Sequence, residues 1–90
     1  MTLAEMKLAL RISTNLLDTQ ITGEIASAQA EMVRAGVSSS VFTQEVPLAD
    51  RAIEAYVRAL HAPDLKDREG YQKSFELQVD QLRKTYPRKD

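Results

Sequence analysis

The stretch from Leu17 to Ala35 constrains the fold more than any other part of the chain. Leu17, Ile21, Ile25, Ala28, Met32 and Ala35 recur at steps of four, four, three, four and three. A period of 3.6 residues places all six on one stripe of a helix, whereas a strand would scatter them over both faces. The spacing predicts a helix over 18–35, opened by Asp18. Gly36 follows the last periodic residue and suits the left-handed position that closes a helix. Glu24 and Glu31 fall off the stripe and read as solvated. Gly23 lies inside the helix at a cost of about 1 kcal/mol relative to alanine, and is expected to mark a close approach by another helix.

One amphipathic helix cannot bury its own stripe, so other segments must cover it. Three more helical patterns are present, and no strand pattern accompanies them. Thr2 and Glu5 form a T-x-x-E capping box ahead of Leu3, Met6 and Leu10, which predicts a short helix over 2–10. Arg11 to Asn15 breaks the period and reads as a turn, with Ile12 as an apolar plug. A third helix is expected over 47–61. Pro47 is tolerated in its first turn and Asp50 suits the dipole there. Ala49, Ala52, Ile53, Tyr56, Val57 and Leu60 make its buried face; Arg51, Glu54 and Arg58 make its solvated one. After a loop at Ala62–Asp67, a fourth helix over 68–86 carries Tyr71, Phe75, Val79, Leu82 and Tyr86, with Glu69–Lys73 and Asp80–Lys84 as i,i+4 ion pairs. The region 37–46 is irregular: Ser38, Ser39 and Ser40 read as flexible, and Val41-Phe42-Thr43 as a short extended piece.

The fold class is therefore all-α, a small bundle of about four helices (2–10, 18–35, 47–61, 68–86) with an irregular loop at 37–46. It forms a single domain over 1–87, with 88–90 as a frayed tail. Ninety residues bury a thin core, which self-association or a partner often completes.

The chemistry available is narrow. With no cysteine, thiolate catalysis and disulfides are excluded. His61 is the single histidine and has no identifiable nucleophile or orienting acid, so it reads as a helix-end residue rather than a base. Asp64, Asp67 and Glu69 lack the spacing of a calcium loop and read as a solvated acidic segment. Three scattered glycines make no phosphate loop. No metal, no cofactor and no catalytic role is expected; the chain does not read as an enzyme. The net charge of −1 lacks the basic excess typical of nucleic-acid binders. No apolar run approaches the roughly 20 residues of a membrane span, and Met1–Met6 carries an early acid rather than a leader pattern. Arg83, Lys84, Arg88 and Lys89 form the one basic cluster, open to phosphate, to an acidic protein surface, or to a plain solubilising role.

The order of the segments adds a resemblance. Thr2-Leu3-x-x-Met6-Lys7-x-x-Leu10-Arg11-Ile12 resembles the opening helix of the head-tail connector (adaptor) proteins of tailed bacteriophages. Asp18, Ile21, Ile25 and Ala28, then Ala35-Gly36-Val37, are similar to that family's second helix. Pro47-Leu48, Ala52-Ile53, Tyr56-Val57 and Ala59 are similar to its third, and Tyr71, Ser74 and Phe75 to its last. Gln78 stands where the final signature carries leucine, and Leu60-His61-Ala62-Pro63 where an aromatic-glycine turn is frequent.

The resemblance implies a structural protein that forms a homo-oligomeric ring, dodecameric in the virion. The ring docks beneath the portal protein, extends the DNA channel and carries the stopper or tail-completion protein. DNA passes through without sequence-specific binding and no membrane is involved. The implied location is the head-tail interface of the virion, with the host cytoplasm during assembly. Arg83, Lys84, Arg88 and Lys89 become candidate portal contacts. Ser38, Ser39, Ser40, Val41 and Phe42 become a candidate channel or neighbour-subunit loop. Ala26, Ala30, Val33, Ala55 and Leu60 become candidate ring contacts. The competing reading is a small helical DNA-binding regulator, which requires a basic recognition helix.

Overall fold

The computed structural model describes residues 1–89. Its elements run α1 (Leu3–Leu10), α2 (Asp18–Arg34), a single 3-10 turn (Ser39–Phe42), α3 (Pro47–His61) and α4 (Leu65–Thr85). The described residues form no strand, only an isolated bridge between Val37 and Pro87. The all-α reading holds, and three of the four helices lie within a residue of the expected bounds.

Local chemistry accounts for the helix ends. The Thr2 hydroxyl accepts from the Glu5 amide at 3.1 Å, and the Thr2 amide donates to Glu5 Oε1 at 2.8 Å, which completes the capping box. α2 closes in a Schellman turn. The Gly36 amide donates to Val33 O and the Val37 amide to Met32 O, with Gly36 at φ +108°. α1 closes in the same way through Arg11 at φ +58°, a non-glycine residue in left-handed backbone. The fourth helix begins three residues earlier than expected. The Asp64 carboxylate accepts from the Asp67 amide at 2.8 Å and caps a helix that already starts at Leu65. The loop expected over 62–67 thus shrinks to Ala62–Asp64.

The helices form a slab of 38 × 28 × 18 Å. A helix with its side chains is about 10 Å across, so the short dimension holds fewer than two full layers. α3 is the central element. It packs along α4 and also meets α2, α1 and the 3-10 turn, while α2 and α4 flank it without packing closely on each other. Alanine makes this possible. Ala49, Ala52, Ala55 and Ala59 are all buried, and their small side chains let neighbours approach α3 from several directions. Ile53 and Val57 complete its core face, against Ile21, Ala28 and Met32 from α2, Val79 and Leu82 from α4, and Met6 from α1.

Several positions differ from the expectation for a physical reason. Leu60 was assigned to the buried face of α3, but α3 ends at its edge and leaves it 54% exposed. Glu54 and Arg58, assigned to a solvated face, are half-buried because α1 and α4 both close over that side of α3. Gly23 has no neighbouring atom within 4 Å of a built Cβ and marks no helix contact. The 37–46 segment is neither extended nor loose. Ser38 caps the 3-10 turn, and Val41 inserts into the core at 1% exposure.

Candidate functional site

The basic cluster is built around the C-terminal end of α2. Helix C-termini present unpaired carbonyls and partial negative charge, which attract cations. Arg88 Nη1 donates to Val33 O at 2.9 Å, and the Arg88 amide donates to Gly36 O at 2.7 Å. The frayed tail expected over 88–90 is therefore corrected at Arg88, which is tied to residues 55 positions away; Asp90 lies outside the described residues. Arg83 lays its aliphatic stem 3.4 Å from where a Cβ on Gly36 would stand. Its guanidinium pairs with Asp80, as does Lys84 Nζ at 2.9 Å. Those contacts, Lys84 first, hold the Asp80 carboxyl below its ordinary range. Of the four cations proposed for partner contact, three are thus engaged within the chain, and Lys89 is exposed.

Arginine plays the same part elsewhere. Arg58 Nη2 reaches from α3 to Ala9 O at 2.9 Å, in the last turn of α1. Its Nε pairs with Glu54 Oε1 at 2.9 Å, and its guanidinium stands 5.9 Å from the centre of the Tyr71 ring. The Glu54 carboxylate raises the Arg58 pKa. Arg68 Nη2 makes a longer contact, 3.4 Å, to Ala62 O at the end of α3. Three helix C-termini are therefore met by arginines from distant or following segments.

Beside Arg58, His61 Nε2 lies 2.7 Å from Glu24 Oε1, with the two side chains 22% and 14% exposed. The sequence reading made Glu24 a solvated acid and His61 a helix-end residue. Instead they join α2 to α3. Lys7 likewise bridges α1 to Asn15 at 3.0 Å and to Asp18 at 2.8 Å. Each of these groups is engaged in a contact that joins separate segments of the chain. Among the described residues, no group of three or more His, Cys, Asp or Glu gathers as metal ligands would. No helix there is long and apolar enough to cross a membrane.

The candidate loop separates into two kinds of residue. Val41 belongs to the core and is unavailable to a channel or neighbour. Ser39 is exposed, whereas Ser38, Ser40 and Phe42 are half-buried; Ser38 and Ser40 hydroxyls lie 2.9 Å apart. Of the positions proposed for ring contact, Ala55 is buried, Val33 is half-buried, and Ala26, Ala30 and Leu60 are exposed.

Besides Leu65 and Leu77 on α4, which are exposed, two further surfaces carry apolar side chains that the fold leaves uncovered. The first is a groove of about 680 Å³ between α2 and α4, floored by α3. Tyr56, Ala59, Phe75 and Val79 contribute apolar surface, and Leu60 stands at its wall. The Tyr56 and Phe75 rings meet at 5.2 Å in a tilted pair. Glu31, Glu76 and Asp80 with Arg83 supply its charge. The second is the outer side of α1 and the turn after it, where Leu8 is 80% and Leu16 is 90% exposed. A signal for this surface was present: six of the eight residues in Leu-Ala-Glu-Met-Lys-Leu-Ala-Leu are apolar, more than one buried stripe requires. Comparisons with protein-family models, with curated proteins and with solved structures return no match for this chain.

Proposed function

We propose that the chain is a structural assembly subunit, the head-tail connector of a tailed phage or prophage. In this reading its copies form a ring under the portal, extend the DNA channel and present a platform to a stopper or tail-completion protein. The observation that carries it is the resemblance of four motif-bearing segments in order, each of which falls on its own helix. Leu3, Met6 and Leu10 lie on α1, Ile21, Ile25 and Ala28 on α2, Ala52, Ile53 and Val57 on α3, and Ser74 and Phe75 on α4. Those positions are mostly core positions, so they speak first for a shared fold.

Two surface properties support the mechanical role. A subunit of a closed ring needs two different contact faces, and this chain has an apolar groove and a separate pair of bare leucines. A conduit must also let DNA slide, and a net charge of −1 suits that better than a basic surface would. The competing DNA-binding reading needs free cations on a recognition helix. Here Arg83 and Lys84 share Asp80, and Arg88 caps α2.

The deciding experiment is negative-stain imaging of the purified protein, alone and mixed with a portal protein from the same phage or prophage. Rings, or a collar added to the portal, are the expected result. A monomer that leaves the portal bare overturns the reading. Tight non-specific DNA binding with a steep salt dependence, read by electrophoretic shift, favours the regulator instead.

A further inference from the structure

We infer that α1 and the turn after it form a strap that opens as one unit while α2, α3 and α4 stay folded, with Lys7 and Arg58 as the clasps that hold α1 closed. This does not depend on the assembly role proposed above.

Burial is the first argument. Met6 is the single buried side chain of α1, against four in α2 and six in α3. α4 has two, with the Phe75 ring set on Tyr56 besides. Leu3 and Leu10 reach only the edge of the core, and Leu8 and Leu16 are 80% and 90% exposed. From Arg11 to Leu16 every residue except Ile12 is exposed. A helix of eight residues does not persist alone in water, so α1 is lost when its packing is lost. Segments with few buried apolar groups and exposed backbone open at lower cost than the whole fold. Arg11, held in left-handed backbone at φ +58°, adds strain that opening relieves.

The fastenings are the second argument. Lys7 Nζ, on a side chain 15% exposed, pairs with Asp18 Oδ1 at the head of α2, at 2.8 Å. Arg58 Nη2 donates from α3 to Ala9 O at 2.9 Å. Ahead of α1, the Met1 amino group pairs with Asp50 of α3 at 2.8 Å. Lys7 also donates to Asn15 at 3.0 Å, but Asn15 lies in the turn and moves with it. The strap is therefore held by cations at least as much as by buried apolar surface. Its opening uncovers the part of α2 and α3 that Leu3, Met6 and Leu10 close.

Amide hydrogen exchange at low urea concentrations, read residue by residue by nuclear magnetic resonance, tests the strap in the wild-type protein. The Met6 amide donates to Thr2 O and the Ile12 amide to Lys7 O. Both are expected to exchange at least about a hundredfold faster than the Ile53 and Val57 amides of α3, with little dependence on urea, whereas α3 depends on it steeply. K7M keeps the aliphatic stem and removes the clasp; it is expected to speed Met6 and Ile12 by the same factor, about fivefold. V79A loosens the core away from α1. It is expected to speed Ile53 and Val57 about tenfold and to leave Met6 and Ile12 within about twofold. A shared rate and urea slope for α1 and α3 in the wild type overturns the strap. So does a V79A variant that speeds α1 as much as α3. Unequal responses of Met6 and Ile12 to K7M mean fraying rather than a unit, and overturn it too. The wild-type result decides even if a variant fails to fold, and far-UV circular dichroism verifies the fold of each variant.

Discussion

Gly23 lies inside α2 and Gly36 just past its end, and their surroundings set opposite expectations for alanine. Gly36 holds φ +108°, where an L side chain is strained; its amide donates to Val33 O in the turn that ends α2, and its carbonyl accepts from the Arg88 amide. Gly36→Ala is expected to lower stability by about 1–2 kcal/mol. Gly23 lies mid-helix with open space around it. Gly23→Ala is expected to raise stability by about 1 kcal/mol, since only the helical penalty of glycine changes. Urea denaturation of both variants tests the pair, and a destabilised Gly23→Ala would reveal a contact absent from the single chain. Arg11 is the instructive third case. It occupies the left-handed position that closes α1 despite having a side chain.

At the scale of the element, α1 is the helix whose stability leans most on its cap. It has eight residues, and isolated helices of that length do not persist in water. The Glu5 carboxylate accepts from the Thr2 amide, and that bond, with the Thr2 hydroxyl contact, holds its pKa below the ordinary 4.5. A carboxyl whose folded pKa is depressed binds its proton more readily in the unfolded chain. Its stabilisation is present above pH 4.5 and is lost as pH falls through the lowered folded value. Glu5→Gln is therefore expected to melt below the wild type at neutral pH, with the gap narrowing as pH falls past that window. Melting curves at a series of pH values check the sign. Asp80, held down by Lys84 and Arg83, adds stabilisation of the same sign at the far end of the chain.

For the whole molecule, a slab 18 Å thick has little interior, so the polar contacts that join distant segments carry weight that a thicker core would share. His61 and Glu24 link α3 to α2 across 37 residues, both largely shielded from water. A double-mutant cycle with His61→Gln and Glu24→Gln is expected to give a coupling of about 1 kcal/mol at neutral pH, at the upper end of what exposed pairs yield. A coupling near zero would mean that the two side chains do not depend on each other. Arg58 reaches 49 residues to α1 in the same manner, so α1 is fastened both by the apolar Met6 and by a guanidinium from the central helix.

Helix existence and helix ends were legible in the amino-acid order because the interactions that set them span three or four residues. The stripe of α2, the Thr2–Glu5 box, Pro47 at the head of α3 and Gly36 past the end of α2 all act at that range. Leu65 escaped because the Asp64 cap was read as part of an acidic loop. Which faces meet was decided only in three dimensions. Alanine is neutral in a periodicity argument, yet the run from Ala49 to Ala59 lets α3 take neighbours on several sides, which turns Glu54 and Arg58 inward and leaves Leu60 at an edge. Arg58, Arg83 and Arg88, which looked free in the sequence, are spent on carbonyls and carboxylates. For Arg58 and Arg88 these lie 49 and 55 residues away, a separation at which local pattern carries no information. The same tertiary packing leaves Leu8, Leu16, Leu65 and Leu77 exposed and the groove between α2 and α4 open, because the long-range contacts that cover the other apolar residues do not reach them.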